Sequence, residues 1–236
     1  MFRSRGRRVS ARAIALAAVA IAVVGFAQLG SYVSPRPPLP FDAAAIQERG
    51  RFAALALAFT QSGRFEPYAI LCAAGLAFGL VRRRWLAAAL VQIALMLAVW
   101  RVGDFFKASF HRARPDWWYG IHETSFAYPS GHAALSIAFY GFATYAIVRA
   151  GVPDALKAGV AVVASVMIVG IGWSRLALGA HYPTDLIGGY LLGLSGLCCA
   201  VVTYGIVPNA GVAASGRPGA FEPSATVAPD ATKVNG

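Results

Sequence analysis

Residues 186–207, LIGGYLLGLSGLCCAVVTYGIV, run for 22 positions without a charged side chain. A helix needs about 20 such residues to cross a bilayer core. The apolar residues form an unbroken block, not the 3.6-residue stripe of a soluble amphipathic helix. Toward the N-terminus, uncharged blocks recur at 158–173, 133–148, 85–100, 67–81 and 13–33. Composition agrees, with 58% hydrophobic and 13% charged residues, both far from the soluble average. The pattern predicts an all-α, polytopic membrane protein with six transmembrane helices in one domain, residues 13–207. Residues 1–12 read as a basic cytoplasmic N-terminus. Residues 208–236, rich in Ala, Gly, Pro, Ser and Thr without periodicity, read as a disordered cytoplasmic tail.

Blocks 13–33 and 186–207 are long enough to span; the other four fall short of about 20 residues. Four of the six blocks also meet a polar cluster at one end. Lys107 and Arg114-Pro115 follow Trp100, and Pro129-Ser130-Gly131-His132 opens the fourth block. Ser174-Arg175 follows Trp173, while His181 and Asp185 precede the sixth. Charged groups at membrane depth are costly unless they face a bundle interior, where they mark function. Polar chemistry is therefore expected to replace lipid-facing length at these ends. Helix alternation puts all three clusters on one side of the membrane. The opposite side carries Arg3, Arg5, Arg7, Arg8, Arg12, Arg82, Arg83, Arg84, Arg149 and Lys157 near helix ends. By the positive-inside rule that side is cytoplasmic, so the clusters face outward, although Arg36, Arg49, Arg51, Arg64, Arg101 and Arg112 lie on their side too.

The residue types suit phosphoryl transfer: fixed cations and hydrogen-bond donors for phosphate oxygens, two histidines and a carboxylate. Asp185 stands four residues after His181, so a helix starting near Pro183 puts both side chains on one face. Ser130 is placed to cap the fourth helix, and Gly131 leaves that helix N-terminus open to an anion. Plainer readings remain beside these. Asp185 also suits any helix N-terminus, His181 an interface, and Lys107, Arg114 and Arg175 snorkelling cations. Capping accounts for Ser130 and Gly131 but not for His132.

Taken together, the spacings Lys107-x6-Arg114-Pro115, Pro129-Ser130-Gly131-His132 and Ser174-Arg175-x5-His181-x3-Asp185 resemble the three-part signature of the type 2 phosphatidic acid phosphatase superfamily. That superfamily includes membrane lipid phosphatases and soluble vanadium haloperoxidases. Asp42 and Thr60-x-x-Gly63 are similar to family features as well. The resemblance implies a nucleophilic His181 that forms a phosphohistidine, an orienting Asp185 and a general acid at His132. It implies phosphate binding by Lys107, Arg114, Ser130, Gly131 and Arg175, without a metal or other cofactor. The substrate it implies is a lipid phosphomonoester or prenyl diphosphate, such as undecaprenyl diphosphate, phosphatidylglycerophosphate or phosphatidic acid, handled at the outer face of the cell (inner) membrane. A phosphotransferase passing the phosphate to a lipid or sugar acceptor is the alternative, and a non-enzymatic lipid-binding or translocating relative is a third reading. Haloperoxidase chemistry is disfavoured because relatives with that activity are soluble.

The remaining features are less specific. The net charge of +11 is scattered over loops without a nucleic-acid motif, so membrane lipids are the expected partner and nucleic acid is not. The sequence does not define an oligomeric state. Residues 41–60, with Asp42, Glu48, Arg49 and Arg51 among apolar residues, suggest an interfacial helix between spans one and two, and a plain linker equally well. The N-terminal block exceeds a typical signal core and is expected to be retained. His111, Arg112, Asp116, His122 and Glu123 share the loop after span three, where they suit headgroup selection or ordinary loop polarity. Trp117, Trp118 and Tyr119 suggest an aromatic belt. Cys72, Cys198 and Cys199 fall inside spans as small apolar residues, and the four histidines lack the spaced partners of a zinc site.

Overall fold

The structure, a computed structural model, describes residues 11–46, 50, 52–116 and 123–206. The elements are α1 (Ala11–Val33), α2 (Pro40–Ile46), α3 (Ala53–Ser62), α4 (Phe65–Val81), a 3-10 turn (Arg83–Trp85), α5 (Leu86–Phe110), α6 (Gly131–Arg149), α7 (Asp154–Ala177) and α8 (Pro183–Ile206). Among the described residues five helices are long and apolar enough to cross a membrane. A sixth span results if α3 and α4, bent by 44° at the break between them, act as one. The chain is an all-helical integral membrane protein. The basic N-terminus through residue 10, the tail from residue 208, His122 and the aromatic trio Trp117, Trp118 and Tyr119 lie outside the described residues.

The spans are longer than the uncharged blocks. Helices α5, α7 and α8 contain 25, 24 and 24 residues, because they continue through Lys107, Arg175 and Asp185. Helical hydrogen bonding needs only the backbone, so a charged side chain that turns into the bundle does not end the helix. Helices α4 and α6 stay at 17 and 19 residues.

The stretch expected as one interfacial helix is divided. Pro40 opens the seven-residue α2, a position where its missing N–H costs nothing. Helix α3 is apolar and buries Ala56 and Thr60, with Ala56 packed on Ala177 and Leu178 at the end of α7. Glu48, Arg49 and Arg51 fall outside the described residues.

Helix α8 packs against α1, α5 and α6. Its approach to α6 depends on glycine. A Cβ on Gly189 would sit 2.4 Å from the Ser130 carbonyl oxygen, and one on Gly193 2.4 Å from that of Ala134. The two helices thus meet backbone to backbone, an approach that no larger residue allows. At the top of this contact the Ser130 amide donates to the Asp185 carbonyl at 3.0 Å, joining the second cluster to the third. The loop before α6 is fastened to α1 by the Tyr128 hydroxyl, which donates to the Phe26 carbonyl at 2.6 Å.

Candidate active site

All three clusters converge at one end of the bundle, spread over α5, the loop after it, α6, α7 and the start of α8. Lys107 lies in the last turn of α5, and Arg114 in the loop that follows. Ser130 and His132 are at the start of α6, Arg175 is in the last turn of α7, and His181 and Asp185 flank the first turn of α8. The bend between α3 and α4 closes the side. A Cβ on Gly63 would lie 2.9 Å from His132 Cδ2, so only glycine lets the chain turn against that imidazole.

His181 is 3% exposed. Its Nε2 lies 3.0 Å from Arg114 Nη1. A guanidinium can only donate, so Nε2 accepts and the proton of the neutral ring sits on Nδ1. Nδ1 faces Asp185 Oδ2 at 3.5 Å, close for an ion pair but long for a hydrogen bond. Burial, followed by the charges of Arg114, Arg175 and Lys107, holds the imidazole well below its usual pKa. At neutral pH His181 is thus uncharged, with its lone pair on the side of the cations.

The cations are rigidly held. Arg114 Nε donates to the Ser125 carbonyl at 2.6 Å, and its Nη1 to the Ala180 carbonyl at 2.8 Å. Burial draws it down to about 10, which still leaves it charged at neutral pH. Lys107 Nζ donates to Ser125 Oγ at 3.0 Å. Arg175, 1% exposed, donates to Thr60 Oγ1 at 2.5 Å and to Glu123 Oε1 at 2.7 Å. Ser130 occupies the cap position of α6, yet its hydroxyl makes no capping bond. Ser130 Oγ, His132 Nε2 and Arg175 Nε are buried without a protein partner. His181 Nδ1 lacks one too, and four such groups among the cluster residues suit an additional hydrogen-bonding group. A cavity of about 150 Å³ reaches His132 from the side, lined also by Lys107, Glu123, Gly131, Arg64 and Trp100. A Cβ on Gly131 would meet nothing within 4 Å, so the glycine leaves that space open. A larger groove of about 380 Å³ between α1, α5 and α8 is lined almost wholly by apolar residues and contains none of the cluster residues.

Sequence reasoning undervalued four residues. Arg112, grouped with ordinary loop polarity, is 3% exposed and pairs with Asp42 and Asp185. Glu123, grouped likewise, rests on the cations, 2.7 Å from Arg175 and 4.0 Å from Arg114. Asp42 and Thr60, noted only as family-like, are both fully buried in the site's support. The available signal was a lone carboxylate or hydroxyl in an apolar helix. His111 and Asp116 are exposed, and His111 merely ends α5 in a left-handed conformation at φ 50°.

Burial alone would raise the pKa of Glu123. The charges of Arg175, Arg114 and Lys107 outweigh it and hold the carboxyl below the usual range. Glu123 therefore competes, ionised, with any incoming anion. Glu123→Gln is expected to tighten the binding of inorganic phosphate or vanadate about fivefold, on the order of 1 kcal/mol for a partly exposed ion pair. Isothermal titration of the purified protein measures this, and unchanged affinity would remove Glu123 from the anion site.

The family model of the PAP2 superfamily matches residues 84–211. Phosphatidylglycerophosphatase B of Bacillus subtilis (strain 168) is 40% identical over 85 residues, covering 35% of this chain and 41% of that protein. An uncharacterized 22.5 kDa protein in the cps region of Klebsiella pneumoniae is 31% identical over 93 residues, 39% of this chain and 44% of its own. The chain spans less than half the length of these curated relatives. The crystal structure of a transmembrane PAP2-type phosphatidylglycerolphosphate phosphatase from Bacillus subtilis superposes with a TM-score of 0.69 at 24% identity. The match covers 80% of this chain and 98% of that one, and at that identity the likeness is one of fold.

Proposed function

We propose that this chain, which belongs to the PAP2 superfamily, hydrolyses a lipid phosphomonoester or prenyl diphosphate through a phosphohistidine on His181. The observation that carries the reading is the hydrogen bond from Arg114 to His181 Nε2. That bond fixes the proton on Nδ1 and the lone pair on Nε2 beside a phosphate-binding cation; an incoming phosphate would draw Arg114 onto its own oxygens and so free Nε2 to attack.

In this mechanism Lys107, Arg114, Arg175, the Ser130 hydroxyl and the open N-terminus of α6 at Gly131 bind the phosphate oxygens. Asp185 keeps the Nδ1 proton of His181 in place. Nε2 attacks phosphorus in line, the N–P bond forms and the bond to the leaving oxygen breaks. His132 gives that oxygen a proton. Water, deprotonated by His132, then cleaves the phosphohistidine and regenerates Nε2. The charge that develops on phosphorus is met by side-chain cations, so the reaction is expected to need no metal.

The name of the Bacillus relative makes phosphatidylglycerophosphate a natural first substrate, beside phosphatidic acid and undecaprenyl diphosphate. The outer face of the inner membrane is the expected location, because Arg82, Arg83, Arg84, Arg149 and Lys157 gather at the opposite helix ends. The test is phosphate release from these three lipids by the purified protein. Turnover of at least one is expected, unchanged in EDTA and inhibited by vanadate, which adopts five-coordinate geometry. No release from any lipid would sink the hydrolase reading, and loss in EDTA restored by magnesium would sink the metal-free one. A short-chain substrate added outside intact spheroplasts should also be cleaved; cleavage only after lysis would turn the site inward.

A further inference from the structure

Arg112 lies two residues before Arg114 but points away from the anion site. Its Nη1 donates to Asp185 Oδ1 at 2.6 Å and to Thr184 Oγ1 at 2.5 Å, while Nη2 donates to Asp42 Oδ2 at 3.0 Å. Its guanidinium also stacks over Tyr182, 4.8 Å from the ring centroid. Asp42 in turn accepts the Thr184 amide at 3.1 Å and the Thr184 hydroxyl at 2.9 Å. Arg112 is 3% exposed, Thr184 1%, and Asp42 and Asp185 are 0% exposed. Two carboxylates and one guanidinium are thus sealed behind the imidazole of His181.

Stability alone is a poor reason for such a group. Buried ion pairs seldom outperform apolar residues of the same size, because desolvation offsets their attraction. The geometry points to another use. Asp185 divides its oxygens: Oδ1 goes to Arg112, and Oδ2 takes the Tyr182 amide at 2.8 Å and faces His181 Nδ1. Arg112 therefore sets the rotation of the carboxylate that presents Oδ2 to the ring. One cation so close would also cancel most of the pull of Asp185 on a positively charged imidazole. Asp42, on the far side of the guanidinium, returns the buried group to a net charge of minus one.

We propose that Arg112 and Asp42 are positioning residues for the nucleophile, Arg112 by fixing the Asp185 carboxylate and Asp42 by supplying the counter-charge that leaves Asp185 electrostatically effective at His181. The inference rests on the reading of His181 as nucleophile. It also gives α2 a purpose: this seven-residue helix carries Asp42 from the end of the first span to the back of the site.

The test is a double-mutant cycle with Arg112→Gln and Asp42→Asn, read first by NMR titration of His181 in the labelled full chain. The other groups acting on His181 are Arg114, Lys107 on α5, His132 on α6 and Arg175 on α7, the last paired with Glu123, and they are the same in every variant. Arg112→Gln removes a positive charge, so the imidazolium is favoured and the His181 pKa should rise. Asp42→Asn removes a negative charge, so it should fall. Each shift should be about one pH unit, and the double variant should return close to wild type. Two single shifts in the same direction, or no shift, would overturn the proposal. Asp42→Asn keeps the side-chain shape and one oxygen to accept the Thr184 amide, at the cost of the acceptor facing Arg112, so it decides the sign even if Arg112→Gln fails to fold.

The second readout is burst formation of phosphohistidine. Arg112→Gln should slow it about a hundredfold with vanadate affinity within about twofold of wild type, and adding Asp42→Asn should recover about tenfold. Losses that multiply, or a parallel loss of vanadate affinity, would assign the network to packing instead. A wild-type protein without turnover would end the hydrolase reading, while the titration would still decide the role of Arg112 and Asp42.

Discussion

Replacing His181 with alanine is expected to abolish phosphate release, a loss of at least about 10⁴-fold, and with it any acid-labile phosphoenzyme. The size of the effect follows from the surroundings. Among the described residues no other nucleophile is placed where Arg114 donates to Nε2 at 3.0 Å, and water would have to attack phosphorus without the entropy advantage of a fixed ring. Vanadate should still bind the variant, because Lys107, Arg114 and Arg175 remain. Asp185→Asn should keep the fold but cost about 10²- to 10⁴-fold, since an amide can stabilise the wrong ring tautomer. Rapid-quench detection of phosphohistidine in the wild type and its absence in His181→Ala is the decisive pair of measurements. Normal turnover by His181→Ala would end the mechanism.

His132 should separate two substrate classes. Cleaving a phosphomonoester releases an alkoxide, a strong base that needs a proton as the bond breaks. Cleaving a diphosphate releases a phosphate monoester with a second pKa near about 6, which departs largely unaided. In His132→Ala the burst of phosphohistidine from phosphatidic acid should therefore slow about 10²- to 10⁴-fold, and that from a prenyl diphosphate by less than about tenfold. Steady-state turnover is a poor substitute for the burst, because His132 also serves the water in the second step. Equal burst losses for both substrates would show that His132 acts in phosphate binding or dephosphorylation and not as the leaving-group acid.

What could be read in the sequence was whatever local spacing encodes. The uncharged blocks located every long helix, and the ends at which Lys107, Ser130, Arg175 and His181 stand are the ends that the structure gathers together. Span length was less legible. A block is cut at its first charge, whereas α5 continues past exposed Arg101 and Asp104 to Lys107, and α7 through Arg175, which turns into the bundle. Pairings between distant residues were not legible at all. Arg112 finds Asp42 across 70 positions and Thr184 across 72, and Arg175 finds Thr60 across 115. A loop arginine and an isolated helix carboxylate look ordinary until the helices between them are assembled. Glu123 was missed for the same reason, its meaning lying in Arg175 and not in its neighbours along the chain.

The distribution of the anion site over five elements governs when the protein can act during its own synthesis. Lys107 enters the membrane with α5, Ser130 and His132 with α6, and Arg175 with α7, but Asp185 comes only with α8. Ser130 has its amide partner, and Arg112 its second carboxylate, only once that last helix lies against α6. A chain emerging from the ribosome with α5 to α7 in place already has Lys107 on Ser125 and Arg175 on Thr60 and Glu123, but neither the carboxylate of Asp185 nor a helix to hold His181 beside it. On the proposed mechanism phosphate chemistry would begin with the final crossing, so a chain whose last helix fails to insert should be inert and not an unregulated phosphatase in the bilayer.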